Sequence, residues 1–152
     1  MIAKLKVFCT YAFLFITFTS PCYAEDLTTA KYLYNYDGDT VSFDMEGLPD
    51  VFGKNISVRV YGIDTPEIKS YNPCEKQLAI VVREFVHEEL STAKVIVLKD
   101  CKRDKYFRVL ARIEYDGKDL TTELLKHGYG YEYYGDTKKK LDYCKQLFTK
   151  PL

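Results

Sequence analysis

Period-two alternation through the first half of the chain, one amphipathic stretch in the middle and two shorter helical stretches near the end predict a small β-barrel with helices. Five short strands, with a helix after the third and further helices at the end, suit an α+β fold. The expected architecture is a five-stranded Greek-key barrel of the OB type with about three helices.

The first 24 residues read as a targeting segment outside the fold. Lys4 and Lys6 form a positive start, the stretch 7–18 is almost wholly apolar, and Ser20-Pro21-Cys22-Tyr23-Ala24 precedes the acidic pair Glu25-Asp26. That order predicts a secretory signal peptide cleaved after Ala24. The apolar run is shorter than the ~20 residues that span a bilayer, which disfavours a membrane anchor. Pro21 stands where a lipid anchor on Cys22 would want a small residue. The domain is then 25–152, with its core at about 31–148.

Thr40-Val41-Ser42-Phe43 and Ile56-Ser57-Val58-Arg59-Val60-Tyr61 alternate as strands do. Between them Gly47, Pro49 and Gly53 mark a long hairpin loop. The stretch 75–90 places Leu78, Val82, Phe85 and Val86 at helical spacing. Two strands are expected at 93–98 and 106–115, the second ended by the turn signal Asp116-Gly117. Residues 120–127 form a short helix stopped by Gly128, and a last helix at about 137–148 is stopped by Pro151.

With 152 residues, 47% hydrophobic and 29% charged, the composition is that of an ordinary globular core and excludes a disordered or collagen-like chain. The 22 Lys and Arg balance 22 Asp and Glu, so any basic surface has to be local. Loss of the first 24 residues leaves 128, a net charge of −2 and three cysteines, Cys74, Cys101 and Cys144. Export to a secreted or periplasmic location implies oxidising conditions, hence one disulfide and one leftover thiol. Cys74 with Cys101 is the expected pair, with other pairings and three free thiols left open. Nothing indicates an obligate oligomer or membrane attachment after signal cleavage, so a monomer is expected.

Four short constellations could carry chemistry. Asp37-Gly38-Asp39-Thr40 has the look of a hairpin turn. It is no EF-hand loop, because Gly falls at the second position. Yet Asp39 opens a strand, a rigid place from which to hold a metal ion. Arg59-Val60-Tyr61-Gly62-Ile63-Asp64-Thr65-Pro66-Glu67 suits a strand end followed by helix-start residues. It also supplies a second carboxylate, Asp64, to converge with Asp39 on a hard cation, with a carbonyl from Thr65 and Glu67 nearby as a base. Two carboxylates and a carbonyl with open water positions suit Ca²⁺.

Arg103-Asp104-Lys105-Tyr106-Phe107-Arg108 reads as a solvated hairpin tip, or as donors for a phosphate from Lys105, Tyr106 and Arg108. Tyr129, Tyr131, Tyr133 and Tyr134, followed by Lys138-Lys139-Lys140, either pack a sheet or stack bases beside a phosphate site. His87, late in a helix, and His127, before a helix-stopping Gly, suit surface or capping roles.

Taken in order, these four motifs resemble the staphylococcal nuclease (thermonuclease) family, from about Lys31 to Cys144. The resemblance implies an OB-type barrel with three helices that cuts DNA and RNA with Ca²⁺ and leaves 3′-phosphate ends. It implies Asp39 and Asp64 as Ca²⁺ carboxylates, Thr65 as the carbonyl ligand and Asp37 in the outer shell. Arg59 and Arg108 correspond to the arginines on the scissile phosphate, and Glu67 to the residue that activates water. Lys105 and Tyr106 correspond to contacts with a terminal phosphate, and Tyr131 or Tyr133 to base stacking. The chain departs from the family at Phe107, where Gly is usual, and in its longer 47–55 loop. The main rival is a non-catalytic nucleic-acid-binding OB module, and a third reading is an exported interaction domain with solvated charges.

Overall fold

A computed structural model describes residues 30–104, 106 and 108–149. The expected signal peptide, Lys105, Phe107 and Pro151 lie outside the described residues.

Strands β1 (Ala30–Asn35), β2 (Thr40–Met45) and β3 (Ile56–Val60) form an antiparallel meander. The loop expected at 47–53 contains a single helical turn, α1 (Asp50–Gly53). The chain then makes a three-residue strand, β4 (Gly62–Asp64), and the long helix α2 (Pro73–Ser91). Next come β5 (Ile96–Arg103) and β6 (Val109–Tyr115), which pair antiparallel, while β6 lies parallel to β3. A parallel step needs a crossover, and the segment containing α2 provides it. The strand order is β1-β2-β3-β6-β5, and the sheet curls until β1 meets β5. These five strands and the flanking helices are the expected barrel with helices.

A short strand, β7 (Lys118–Asp119), extends β6, followed by α3 (Leu120–Lys126). The strand β8 (Tyr131–Tyr133) returns to pair with β4 as a separate ribbon, and α4 (Tyr143–Thr149) closes the described chain. Among the described residues no helix is long and apolar enough to cross a membrane.

Helix α2 forms where its apolar residues recur every fourth position: Leu78, Val82, Val86 and Leu90 are all buried. Each contributes roughly 1.5–3 kcal/mol by leaving water. Asn72 caps the helix, its side chain accepting from the N–H groups of Cys74 at 2.9 Å and Glu75 at 3.4 Å. The opposing face of the core is Phe43, Val58, Leu98 and Ile113 from the sheet, with Leu120 and Leu124 from α3. Phe85 is only half-buried and packs its ring against His127 and Tyr129. His127 caps α3, and His87 faces the Tyr32 hydroxyl at 3.0 Å, so both histidines have structural surroundings.

Several boundaries differ from the sequence expectation, each for a tertiary reason. β5 begins at Ile96 and runs on to Arg103 through a register shift between Lys99 and Lys102, where Asp100 adopts a positive φ of 53°. β6 begins at Val109 and not at Tyr106, because a turn closed by the Asp104 N–H on the Arg108 carbonyl, 2.9 Å, precedes it. The last helix begins at Tyr143 and not near Thr137, because the backbone N–H of Lys139 donates to the Tyr131 hydroxyl at 3.1 Å.

The disulfide joins Cys74 to Cys144, not to Cys101. Cys74 lies in the first turn of α2 and Cys144 in the first turn of α4, and the two helices pack with these Cα atoms 4.9 Å apart. Cys101 is instead carried to the exposed, bulged part of β5.

Candidate active site

Loop 36–39 joins β1 to β2, closed by the Tyr36 N–H on the Thr40 carbonyl at 2.9 Å. It is a turn, as its composition suggests, but Gly38 is not there for a positive φ. A Cβ on Gly38 would lie 2.4 Å from Val82 Cγ1 and 3.0 Å from Thr65, so the absent side chain lets the loop press onto α2. This contact sets Asp39 at the mouth of the barrel. Its Oδ2 accepts from the Thr65 N–H at 2.8 Å and the Thr65 hydroxyl at 2.9 Å.

Arg59, on β3, reaches the same place from the neighbouring strand. Its Nη1 pairs with Asp39 Oδ1, and its Nη2 donates to Asp64 Oδ1 and to the Ile63 carbonyl, each at 3.0 Å. One guanidinium therefore stands between two carboxylates separated by 25 residues in sequence. The side chains of Arg59, Asp39 and Asp64 are only 12%, 7% and 4% exposed, so the two acids converge on a shared, water-poor cation position. Asp64 also accepts from the Tyr131 hydroxyl at 2.7 Å through Oδ2.

The electrostatics follow from this crowding. Burial, then the charge of Glu67, pushes the carboxyl of Asp37 up to about 6. Asp37 stands directly behind Asp39 and accepts its backbone N–H at 3.2 Å. Burial draws the Arg59 guanidinium below its usual value, opposed by Asp64 and Asp37; it remains a cation at neutral pH. Burial and the hydrogen bond to Asp64 push the Tyr131 hydroxyl up to about 12.

A cavity of about 640 Å³ opens over this cluster and is lined by Asp39, Arg59, Glu67, Tyr106, Arg108 and Tyr133 among others. Thus the predicted arginines and Glu67 share one space, with Asp64 and Thr65 buried behind it. Arg108 rests on Asp104, its Nε at 3.0 Å and Nη2 at 2.6 Å from Oδ2, with its guanidinium 5.5 Å from the exposed ring of Tyr106. Tyr131 faces away from the main cavity into a second cleft.

Two further residues, Lys138 and Asp104, act at the site. Lys138 donates to Glu67 Oε1 at 2.8 Å and pairs with Asp64 Oδ1 at 3.0 Å. Burial lowers its ammonium, but the bonds to Glu67 and Asp64 outweigh this and hold it above the ordinary lysine value. Asp104 holds Arg108. Asp104 belongs to the Arg103–Arg108 motif, but Lys138 lies 71 residues from Glu67, and in sequence only its place in a lysine run marks it.

Gly130 is required by this geometry. A Cβ there would lie 2.6 Å from the backbone carbonyl of Asp64 and 2.9 Å from Ile63. Gly130→Ala should therefore push β8 off β4 and shift Asp64, destabilising the fold by about 1–3 kcal/mol. Urea denaturation checks this; an unchanged midpoint would mean the ribbon yields without cost.

Among the described residues no three His, Cys, Asp or Glu side chains gather as a metal cluster. The site would offer a cation two carboxylates, leaving its remaining positions to backbone, water and substrate oxygens. That donor set fits a hard divalent ion better than a soft one.

Comparison with known proteins gives the same direction. The family model described as "Staphylococcal nuclease homologue" matches residues 57–150, more than half of the chain. The match includes Arg59, Asp64, Thr65, Glu67 and Arg108; Asp37 and Asp39 precede it and are joined to it by the contacts above. The chain is 35% identical over 94 residues to the SPbeta prophage-derived endonuclease YokF of Bacillus subtilis, covering 60% of this chain and 30% of that protein. It is 34% identical over 94 residues to endonuclease YncB of the same organism, covering 60% and 42%. A probable endonuclease of Schizosaccharomyces pombe is 30% identical over 93 residues, covering 57% and 40%. The matched region thus spans less than half of each of these three relatives.

Proposed function

Because the chain belongs to the staphylococcal nuclease homologue family, we propose that it is a Ca²⁺-dependent nuclease that hydrolyses phosphodiester bonds of DNA, RNA or both, leaving 3′-phosphate ends. The observation that carries this reading is Arg59 spanning buried Asp39 and Asp64 beside a cavity shared with Glu67 and Arg108. The names of the relatives, endonucleases, support cleavage within a strand.

Asp39 and Asp64, with the Thr65 carbonyl, would hold the cation, and Asp37 would stand behind them. When bound, Ca²⁺ supplies Lewis acidity at a phosphate oxygen and neutralises the two carboxylates. Arg59 and Arg108 would gather the charge that builds on phosphorus through the N–H donors they do not commit to Asp39, Asp64, the Ile63 carbonyl and Asp104. Glu67, about half exposed, is the carboxylate of the site that meets both solvent and cavity. It takes the proton of the water that attacks phosphorus, while the P–O5′ bond breaks, the departing 5′ oxygen takes a proton from solvent, and the phosphate stays on the 3′ side. Tyr106 and Lys105 contact a terminal phosphate, and Tyr133 offers the cavity an aromatic face for a base.

The proposed location is secreted or periplasmic, after removal of residues 1–24. The basic-then-apolar start supports this, as does the Cys74–Cys144 disulfide, a bond that persists in oxidising compartments.

A gel assay on single- and double-stranded DNA and RNA tests the reading, run with Ca²⁺, with Mg²⁺ and with chelator. Cleavage should need Ca²⁺, vanish in Glu67→Gln and Arg59→Ala, and give ends that a polymerase extends only after phosphatase treatment. Salt-sensitive binding by folded protein without cleavage would leave a nucleic-acid-binding barrel instead.

A further inference from the structure

Beside the main cavity lies a second cleft of about 420 Å³. Glu67 and Lys138 line both, so the two spaces meet at the residue proposed to activate water. Beyond that ridge the walls include Lys139, Lys140, Tyr131, Tyr143 and Glu75. We propose that this cleft is a strand-binding subsite, in which Lys139 and Lys140 take the backbone phosphates of nucleotides adjacent to the scissile bond. The proposal rests on the nuclease reading and extends it: the enzyme engages the chain beyond the bond it cuts, and so favours internal over terminal bonds.

Three observations support it. The first is charge. Of the acids in the cleft, Asp64 and Glu67 are ion-paired, while Glu75 keeps its charge and accepts hydrogen bonds from neutral donors. Asp64 pairs with Arg59 and Lys138, Glu67 pairs with Lys138, and Glu75 accepts from the Ser70 hydroxyl at 2.5 Å and the Glu67 N–H at 3.2 Å. Among the described residues neither Lys139 nor Lys140 has an ion-pair partner, although Lys138 has two. Lys139 and Lys140 thus offer an anionic strand two adjacent exposed ammonium groups that no carboxylate among the described residues holds.

The second is preorganisation. The Lys139 N–H is fixed on the Tyr131 hydroxyl, and its ammonium lies 5.2 Å from the centre of the Tyr131 ring. Binding a phosphate there orders little backbone that is not already held. The third is attachment. Four residues after Lys140, Cys144 is tied to the start of α2, which also supplies Glu75 to the cleft. The lysine segment is thus anchored to the same helix whose preceding loop carries Glu67.

The test compares wild-type protein with Lys139→Ala/Lys140→Ala on labelled single-stranded DNA of 2 and 12 nucleotides. Cleavage is measured with Ca²⁺, and binding of the 12-mer is followed by anisotropy across a salt titration in chelator. The double variant should cleave the 2-mer like wild type and show about a tenfold higher KM for the 12-mer. Its log–log salt slope should be smaller by about 1.4, two phosphate contacts at about 0.7 each on a single strand. Lys139→Arg/Lys140→Arg should restore the slope. An unchanged 12-mer KM and slope would overturn the subsite even if wild type cleaves normally. Absence of cleavage by wild type, with the slope still falling in the double variant, would overturn the nuclease reading and leave the cleft as a binding surface.

Discussion

Arg59→Lys is expected to lower kcat on DNA at least about 10²–10³-fold, the loss seen when one preorganised donor to a transition-state oxygen is removed. The charge survives, but the geometry does not. Arg59 contacts Asp39, Asp64 and the Ile63 carbonyl at the same time, through two nitrogens of one rigid plane. An ammonium cannot span both carboxylates, nor present two parallel donors to a phosphate. The same substitution leaves at least one buried carboxylate short of its partner, so the metal-free protein should lose stability. Arg59→Ala, which removes the cation entirely, should cost about 3–5 kcal/mol without Ca²⁺. Ca²⁺ should recover part of that loss, because a second cation then serves the same two acids. Single-turnover kinetics and thermal unfolding with and without Ca²⁺ measure both effects. Full activity in Arg59→Lys would refute the phosphate-clamp role.

The second large effect is on stability. Replacing Cys74 and Cys144 by Ser should lower stability by about 4 kcal/mol on the chain-entropy model, given a sequence separation of 70. For a domain of this size that corresponds to a fall in Tm of roughly 15 °C. The loss should be matched by adding reductant to the native protein, and non-reducing peptide mapping should recover Cys74 with Cys144. A variant that unfolds within 2–3 °C of wild type, on the order of 1 kcal/mol, would show that the bridge restrains little of the unfolded chain. Activity should fall as well, because α4 anchors the segment that brings Lys138 to Glu67 and Asp64.

The contrast between these two sites shows where sequence is informative. The carboxylates and Arg59 were legible because their chemistry is local: Asp39 is the last loop residue before β2, Arg59 lies within β3 and Asp64 ends β4, each beside residues that suit a strand edge. Helix α2 was legible because Leu78, Val82 and Val86 must share one face to be buried together. β1 was harder to read, since a register shift between Tyr32 and Tyr34 breaks its alternation. The β4–β8 ribbon pairs only three residues a side, too few for any period to show.

Alternation, helical spacing and strand-end chemistry act over a few residues, so the kind of barrel, its principal helix and the residue types of the site can be read along the chain. Packing in three dimensions sets which cysteines pair, brings Lys138 to Glu67 across 71 positions, and requires Gly38 and Gly130 for close approach. Those outcomes depend on how α2, α4 and the β4–β8 ribbon pack in space, and local sequence preferences carry no term for a distance across the fold.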